Sequence, residues 1–205
     1  MTKLTTFAKR LNAGKPLGKL PSLFFLTDKS RIADPLPVVA RLPPGSCVIL
    51  RDYTASDRTE LAVALASVAQ RRNLRLLVGG DGNLALRVRA SGVHFPQSQR
   101  DKGLIWRARR PDWLITIAAH SAEDLYALTK LHADAALLAA VFPTSSHPGR
   151  VELGAPRFHA LAQASPLPVV ALGGLTSKNI DRLNGMPITA IAAIGGLACE
   201  LLGSN

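Results

Sequence analysis

Two pairs of adjacent glycines near the carboxyl end of the chain have the residue type and spacing of a phosphate-binding site. Gly173-Gly174 and Gly195-Gly196 each follow a short apolar run and precede a stretch that can start a helix. Without side chains, their backbone N–H groups can approach a phosphate, and a following helix N-terminus adds a favourable dipole. The alternative is a pair of tight strand-to-helix turns. We favour phosphate binding, and we expect a bulky residue at Gly174 or Gly195 to abolish it while sparing the fold.

Other groups that could complete such a site follow earlier apolar runs. Arg51 ends the second run, and its guanidinium can bind a phosphate through two parallel hydrogen bonds. The alternative for Arg51 is an ion pair with Asp28 or Asp52. We add Thr144 and Ser145, which follow the sixth run, to the predicted phosphate-binding set.

Histidines supply the candidate catalytic groups. His147 and His120 could transfer protons, because a histidine titrates near neutral pH. If His147 contacts the anion, the affinity for that anion should rise as the pH falls through ~6.5. For His120, the alternative is a strand-end residue bonded to backbone. His94 and Gln97 are predicted pocket residues at the end of the fourth run, where His94 is interpreted as mainly structural.

The elements that position these residues follow a regular alternation of apolar runs and helical stretches. The predicted strands are residues 23–28, 47–52, 75–78, 93–95, 114–119, 135–142, 168–172 and 188–194. Asp57 and Ser121 stand where helices should begin, and Asp57 forms a capping-box pattern with Glu60. Strands that alternate with helices at this spacing predict parallel βαβ units, and nearly continuous apolar strands predict a sheet covered on both faces.

Eight such units predict an α/β protein with a single compact (β/α)8 TIM barrel, in which outer helices surround a parallel eight-stranded barrel. An open doubly wound sheet is the alternative. We assign residues 21–205 to the barrel and residues 1–20 to a basic N-terminal extension. Functional sites of such barrels lie at the C-terminal ends of the strands, which is where the candidate residues fall.

Composition narrows the class of protein further. The hydrophobic fraction of 47% excludes general disorder, and the apolar runs fall short of the ~20 residues of a membrane-spanning helix. Two cysteines cannot form a disulfide framework, so we expect a cytoplasmic protein. The net charge of +11 could attract nucleic acid, but no recognised nucleic-acid module accompanies it. We expect a phosphorylated small molecule as partner rather than nucleic acid or membrane, and we leave homo-oligomer formation open.

Several motifs, in the same order along the chain, resemble those of the thiamine phosphate synthase family, which includes the thiazole tautomerases. They are residues 25–28 (FLTD), 91–97 (SGVHFPQ), 118–121 (AAHS), 141–147 (VFPTSSH) and 168–175 (PVVALGGL). The resemblance runs from about residue 23 to residue 198. It implies a TIM barrel of thiamine (vitamin B1) biosynthesis, a transferase or an isomerase, that binds phosphorylated thiazole or pyrimidine compounds.

The chain departs from the family pattern at the positions that hold metal and pyrophosphate. Magnesium-binding aspartates of the family correspond to Gly80 and Gln99, and a pyrophosphate-binding lysine corresponds to Tyr53. The catalytic-site serine of strand five corresponds to Ala118, and the tautomerase histidine to Ala140. The resemblance therefore implies an intact phosphate-binding half beside a degenerate magnesium–pyrophosphate half, and we expect no cofactor.

The residues leave three functions open. The chain could be a thiamine-pathway enzyme with altered chemistry, an inactive family member that binds a phosphorylated ligand as a regulatory module, or a basic protein associated with nucleic acid. Asp81 or Asp101 could restore a metal site through a shift in register, because each lies close to a lost ligand position.

Overall fold

Eight parallel strands close into a barrel in the order β1 to β8 across the described part of the chain. The computed structural model describes residues 1–11, 20–144 and 151–203. The strands are β1 (Leu23–Leu26), β2 (Cys47–Leu50), β3 (Arg75–Gly79), β4 (Gly92–Phe95), β5 (Leu114–Ala119), β6 (Ala135–Ala139), β7 (Val169–Leu172) and β8 (Ala190–Ala193). Because β1 pairs with both β2 and β8, the predicted (β/α)8 barrel is confirmed and the open sheet is excluded.

Helices surround the barrel. They are α1 (Lys3–Leu11), α2 (Leu36–Val39), α3 (Arg58–Arg71), α4 (Gly82–Arg87), α5 (Lys102–Arg109), α6 (Ala122–Thr129), α7 (Gly154–Ala164) and α8 (Gly195–Leu202), with 3-10 turns at Gln97–Gln99 and Ile180–Leu183. The helix expected after Gly174 is thus reduced to a short 3-10 turn. Within the three described ranges, none of these helices is long and apolar enough to cross a bilayer.

Apolar side chains fill both sides of the strands. In β1, Phe24 and Leu26 belong to the cluster inside the barrel, whereas Leu23 and Phe25 pack in the layer between strands and helices. Neighbouring side chains of a strand point to opposite faces, so burial of both faces requires a continuous apolar run. This requirement explains why the strands were recognisable in the sequence.

The last part of the predicted sixth strand enters the functional end of the barrel. Residues 135–142 were predicted as strand, but β6 ends at Ala139. The next residues still follow β7, because the N–H groups of Val141 and Phe142 donate to the carbonyl oxygens of Leu172 and Gly173 at 3.0 and 3.1 Å. This segment therefore packs directly against the first glycine pair.

Two predicted helix caps have different outcomes. The Ser121 hydroxyl accepts from the Asp124 N–H at 3.1 Å, which confirms the cap of α6. The predicted capping box at Asp57 is wrong, since within the described chain its carboxylate makes no capping bond and lies 2.5 Å from the Lys29 ammonium. The Asp57 carboxylate thus forms an ion pair with Lys29, from the loop after β1, and does not cap α3.

Helix α1, from the basic N-terminal segment, packs against α8 and β1. Leu4 and Phe7 are buried, and the Leu4 N–H donates to the Glu200 carboxylate at 3.0 Å. Lys3 forms an ion pair with Asp181 at 2.5 Å. The helix thus adds apolar contacts to the fold, and one of its charges is paired.

Candidate functional site

A cavity of about 610 Å³ opens at the C-terminal ends of the strands. Strand residues at its base are apolar: Leu26, Ala118, Ala139, Leu172 and Ala193. The predicted site residues that line it are Arg51, His94, Gln97, His120, Thr144, Gly173, Gly174, Gly195 and Gly196. The other two predicted residues, Ser145 and His147, lie outside the described residues. The fold therefore gathers distant parts of the sequence around one cavity with an apolar base and a polar rim.

Two loops on one side of the cavity contain the glycine pairs, and we call residues 173–176 and 194–196 the glycine loops. A Cβ on Gly174 would collide with the Pro143 carbonyl oxygen and would lie 2.8 Å from that of Phe142, at a φ of +67°. A Cβ on Gly196 would collide with the Leu175 carbonyl oxygen. Since backbone packs on backbone here, glycine is required by the fold at both positions. The expectation that a bulky residue at Gly174 spares the fold is therefore contradicted.

Asn179 fixes the first glycine loop. Its side-chain carbonyl accepts from the Thr176 N–H at 2.9 Å, and its amide donates to the Gly174 carbonyl at 2.8 Å. These bonds fix one backbone N–H and one backbone carbonyl of the loop, and Asn179 itself is not among the residues that line the cavity. The loop is thus held in shape from outside the cavity.

Arg31 completes this side of the cavity, and the sequence analysis missed it. Its guanidinium lies against Gly195, where a Cβ would be 2.5 Å from a terminal nitrogen of Arg31. Gly195 also begins α8, so a guanidinium and the positive end of a helix dipole meet at one point of the cavity wall. The available signal was the position of Arg31 just beyond the end of the first strand.

Arg51 lies on the other side of the cavity and is paired. One terminal nitrogen is 3.0 Å from the Asp28 carboxylate, and the Arg51 N–H donates to the Thr27 hydroxyl at 3.0 Å. Burial alone would raise the pKa of Asp28, but hydrogen bonding from Ser30 and the charge of Arg51 hold that pKa below its usual value. The ion-pair alternative for Arg51 is thus realised, while its side chain still borders the cavity.

An aromatic ring fills the space beside Arg51. We call Arg51, Tyr53, Arg58, Gly79 and Gly80 the Tyr53 wall. A Cβ on Gly79 would lie 3.0 Å from Tyr53 Cε1, and a Cβ on Gly80 would lie 3.4 Å from Tyr53 Cδ1. The Arg58 guanidinium stands 6.0 Å from the ring centroid and also donates to the Gly79 carbonyl oxygen. At position 79 a Cβ would first collide with the Leu50 carbonyl oxygen at 2.7 Å, whereas at position 80 the ring of Tyr53 and the Gln99 side chain occupy the space that a side chain would need.

The Tyr53 wall does not fit the magnesium ion that the family resemblance implies. Gln99 contributes an amide, and Asp81 caps α4 by accepting from the Leu84 N–H at 2.9 Å. The remaining Asp81 oxygen lies 3.8 Å from Arg58. Within the described residues, no group of three or more histidine, cysteine or carboxylate side chains could hold a metal ion. Since magnesium requires convergent oxygen ligands, the register shift that would restore a site with Asp81 is not supported.

His94 lies between the two sides and is buried. Its Nδ1 is 3.0 Å from the Thr116 hydroxyl, inside the barrel. Burial lowers the pKa of His94 to about 4, and the positive charge of Arg51 adds to that effect. His94 is therefore neutral near pH 7, and it combines a structural hydrogen bond with a position on the cavity wall.

The buried carboxylate of Asp124 holds two residues that line the cavity, Gln97 and His120. The Asp124 oxygens accept from the Gln97 amide and from the His120 N–H, each at 2.9 Å. Burial alone would raise the pKa of Asp124, but these hydrogen bonds lower it. The His120 ring in turn donates from Nδ1 to the Ala139 carbonyl oxygen at 3.0 Å. The predicted backbone-bonded arrangement of His120 is present, and Asp124 positions two predicted site residues at once.

These features define a (β/α)8 barrel with a ligand cavity at the C-terminal face of its strands. The family described as thiamine monophosphate synthase matches residues 23–197 of the chain. Because the match covers most of the sequence, the chain belongs to this family, whose members act in thiamine biosynthesis. The family membership inferred from the motifs is thereby confirmed.

Individual relatives agree with the family. A putative thiamine-phosphate synthase 2 of Aquifex aeolicus is 29% identical over 167 residues, which span 79% of this chain and 89% of the relative. A thiamine-phosphate synthase of Clostridium tetani is 25% identical over 195 residues, spanning 88% and 93%. The solved structure of a thiamine phosphate pyrophosphorylase from Pyrococcus furiosus superposes with a TM-score of 0.72 at 22% identity, covering 85% of each chain. That superposition independently supports the fold.

Proposed function

We propose that this chain binds the phosphate monoester of a thiazole or pyrimidine compound of thiamine biosynthesis. The observation that carries the proposal is the division of one cavity into a polar and an apolar region. The glycine loops and Arg31 offer N–H groups and positive charge to a phosphate. The apolar base suits a flat, uncharged ring. Family membership supports the identity of that ring.

The proposal leaves out the displacement of pyrophosphate that the resemblance implies for synthase members. Departure of pyrophosphate requires its developing charge to be neutralised. In the Tyr53 wall, Arg51 faces Asp28 and Arg58 faces Asp81, while positions 79 and 80 carry no carboxylate. These residues therefore do not support that reaction.

His120 supports a second candidate function, an isomerisation by proton transfer. Its Nδ1 donates to the Ala139 carbonyl, so in the neutral ring Nε2 carries the lone pair and can accept a proton. The same bond holds the ring next to Ala140, the position at which the resemblance places the histidine of the tautomerases. His120 lines the cavity beside its apolar floor, where the imidazole could act as a general base and remove a proton from a bound ring.

The test of the proposed function compares a thiazole phosphate monoester with the corresponding alcohol by isothermal titration calorimetry. We expect the phosphate ester to bind at least 10-fold more tightly, because charge-assisted hydrogen bonds contribute about 1.5–3 kcal/mol each. In Gly195→Val this preference should disappear, since the new side chain displaces Arg31 and covers the start of α8. Equal affinities for ester and alcohol in the native protein would refute the proposal.

A matched control and a second readout sharpen this test. Gly45→Ala adds a Cβ that meets nothing within 4 Å, at a φ of +82°, before β2 and away from the cavity. It should keep the full phosphate preference even if the strained backbone lowers the free energy of unfolding. Incubation of the bound thiazole phosphate in heavy water then separates the two candidates. If a ring proton exchanges with solvent in the native protein and this exchange is absent in His120→Gln, the result supports isomerisation. Binding without exchange identifies a binding module.

A further inference from the structure

Tyr53 is a cavity residue that neither the glycine loops nor the family resemblance explains. It stands just beyond β2, and its side chain lines the cavity. One edge of the ring, Cδ1 and Cε1, rests on Gly79 and Gly80, and Arg58 lies over it at 6.0 Å. The side chain is nevertheless 40% exposed. A rigid aromatic surface is thus fixed from behind and open toward the ligand space.

Three cations on this side of the cavity are paired with carboxylates, and Lys102 donates to the Gln99 amide oxygen at 3.1 Å. Arg51 is 3.0 Å from Asp28, and Arg58 is 3.8 Å from Asp81. From the loop after β1, Lys29 pairs with Asp57. A diphosphate carries several negative charges and, without a metal, would need unpaired cations on this side of the cavity. Each of these three cations already has a carboxylate partner.

The aromatic ring and the pairing of Arg51 and Arg58 with carboxylates point to an uncharged occupant. Burial raises the pKa of the Tyr53 hydroxyl, against the opposing effect of Arg51 and Arg58, so the ring is neutral at physiological pH. Aromatic rings gain about 0.5–1.5 kcal/mol from contact with another ring beyond the area they bury. The glycine loops follow β7 and β8, and β3 with its Gly79–Gly80 end lies across the barrel from β7. A ligand anchored by its phosphate on the glycine loops could extend its ring across the apolar base to Tyr53.

We propose that Tyr53 packs against the flat, uncharged aromatic ring of a monophosphorylated ligand and that it replaces a metal–diphosphate subsite with a ring-binding one. The inference rests on the proposed function, and it specifies the class of ligand: one phosphate and one aromatic ring. It also makes Tyr53 a specificity-determining residue, since its ring occupies part of the space that a metal-binding side chain at position 80 would need.

The two tyrosines of the chain allow a direct test in the native protein. Labelling with 3-fluorotyrosine gives one fluorine resonance for Tyr53 and one for Tyr126, which lies on α6 and is 66% exposed. Addition of phenyl phosphate should shift the Tyr53 resonance, while cyclohexyl phosphate, with the same charge and a saturated ring, should shift it much less. Tyr126 should respond to neither. Equal responses of Tyr53 to the two esters would overturn the proposal.

Affinities of variants provide the second measurement. The native protein should prefer phenyl phosphate over cyclohexyl phosphate by about 2- to 10-fold. Tyr53→Leu should lose that preference, Tyr53→Phe should keep it, and Tyr126→Leu should match the native protein. Magnesium should not increase the affinity for inorganic pyrophosphate, and an increase would contradict the proposal.

Failure of this inference can be told apart from failure of the proposed function. If both esters bind with equal affinity in the native protein, the phosphate site stands and the role of Tyr53 is refuted. If neither ester nor the thiazole phosphate binds, the proposed function itself fails, and the inference falls with it.

Discussion

The glycine loops line the cavity, whereas Gly79 and Gly80 lie behind Tyr53, and the two regions use glycine differently. In the glycine loops, backbone packs on backbone, so that a Cβ on Gly174 would collide with Pro143. In the Tyr53 wall, a Cβ on Gly79 would also meet backbone, the Leu50 carbonyl oxygen at 2.7 Å, but Gly80 borders side chains, and a Cβ there would first meet the Gln99 amide oxygen at 3.3 Å. A pair of adjacent glycines in the sequence therefore does not by itself indicate one structural role. Its role depends on whether the missing side chain makes room for backbone and ligand or for another residue.

The largest effect should come from placing alanine at matched positions on the two sides. Gly174 and Gly80 have nearly equal φ values of +67° and +70°. The left-handed backbone should cost about 1–2 kcal/mol in both variants. Gly174→Ala adds a collision with backbone, which should cost a further 1–3 kcal/mol, roughly the cost of overpacking a core. Unfolding in urea should therefore show a clearly lower free energy of unfolding for Gly174→Ala.

Equal losses in the two variants would contradict the distinction between the sides. In Gly80→Ala, the nearest group is the end of the Gln99 side chain, which can move. Gln99→Ala in the same background should recover little stability, because the strain at φ +70° remains. A large recovery would show instead that the Tyr53 wall is packed as tightly as the glycine loops.

The second prediction concerns the dependence of stability on pH, through His94. Its pKa is about 4 in the folded protein and ~6.5 in an unfolded chain, so the unfolded state takes up a proton first as the pH falls. The contribution of neutral His94 to the free energy of unfolding is therefore fully present above pH ~6.5. It is lost as the pH falls toward 4, by roughly 3 kcal/mol in total. His94→Gln, which keeps a hydrogen-bonding group near Thr116, should lack this loss.

Arg51 and Arg31 extend this prediction to the two sides of the cavity. The charge of Arg51 contributes to the low pKa of His94, so Arg51→Gln should raise that pKa in a titration followed by nitrogen NMR. Arg31→Gln should leave it nearly unchanged, because Arg31 lies against Gly195 on the other side. A larger response to Arg31→Gln would place its charge near His94 and undo the division of the cavity into two sides.

Much of the fold followed from the sequence, whereas the Tyr53 wall did not. The strands were predictable because burial on both faces leaves continuous apolar runs, and β5 begins and ends where the pattern placed it. Gly174, Arg51 and His120 were recognisable because the end of a strand fixes their place on the rim. The contact of Tyr53 with Gly80 joins the loops after β2 and β3, and hydrophobic periodicity carries no information about loop conformation.

The same limit explains the errors at individual side chains. Asp57 has the pattern of a helix cap, but the choice between the α3 backbone and Lys29 depends on where the loop after β1 lies. Arg31 stands in that loop as well, and its contact with Gly195 brings together nearly opposite ends of the sequence. Local pattern identifies a group that needs a partner, and only the fold selects which partner it meets.

The smallest effect should come from Asp124, whose carboxylate joins Gln97 and His120 between the two sides of the cavity. Asp124→Asn replaces one accepting oxygen by an N–H₂ group, so either the Gln97 amide or the His120 N–H loses its acceptor, and the charge that faces Arg100 at 3.5 Å is removed. We expect the free energy of unfolding to fall by about 1 kcal/mol at pH 7. Because the pKa of Asp124 is lowered in the folded protein, its stabilising effect should persist above pH ~4 and fade below it, and the variant should lack that decline.

Asp134 offers a matched control at the other end of the barrel. Its carboxylate accepts from the Ile115 N–H at 2.7 Å and from Arg107 at 2.6 Å, before β6 begins. Both bonds end on one oxygen, which the amide oxygen of Asp134→Asn can replace, so this variant should lose mainly the charge of the Arg107 ion pair and leave the affinity for a thiazole phosphate unchanged. Asp124→Asn should weaken that affinity about 2- to 5-fold, since Gln97 and His120 lose part of their orientation. If the two variants weaken it equally, the loss reflects stability alone, and Asp124 does not position the site.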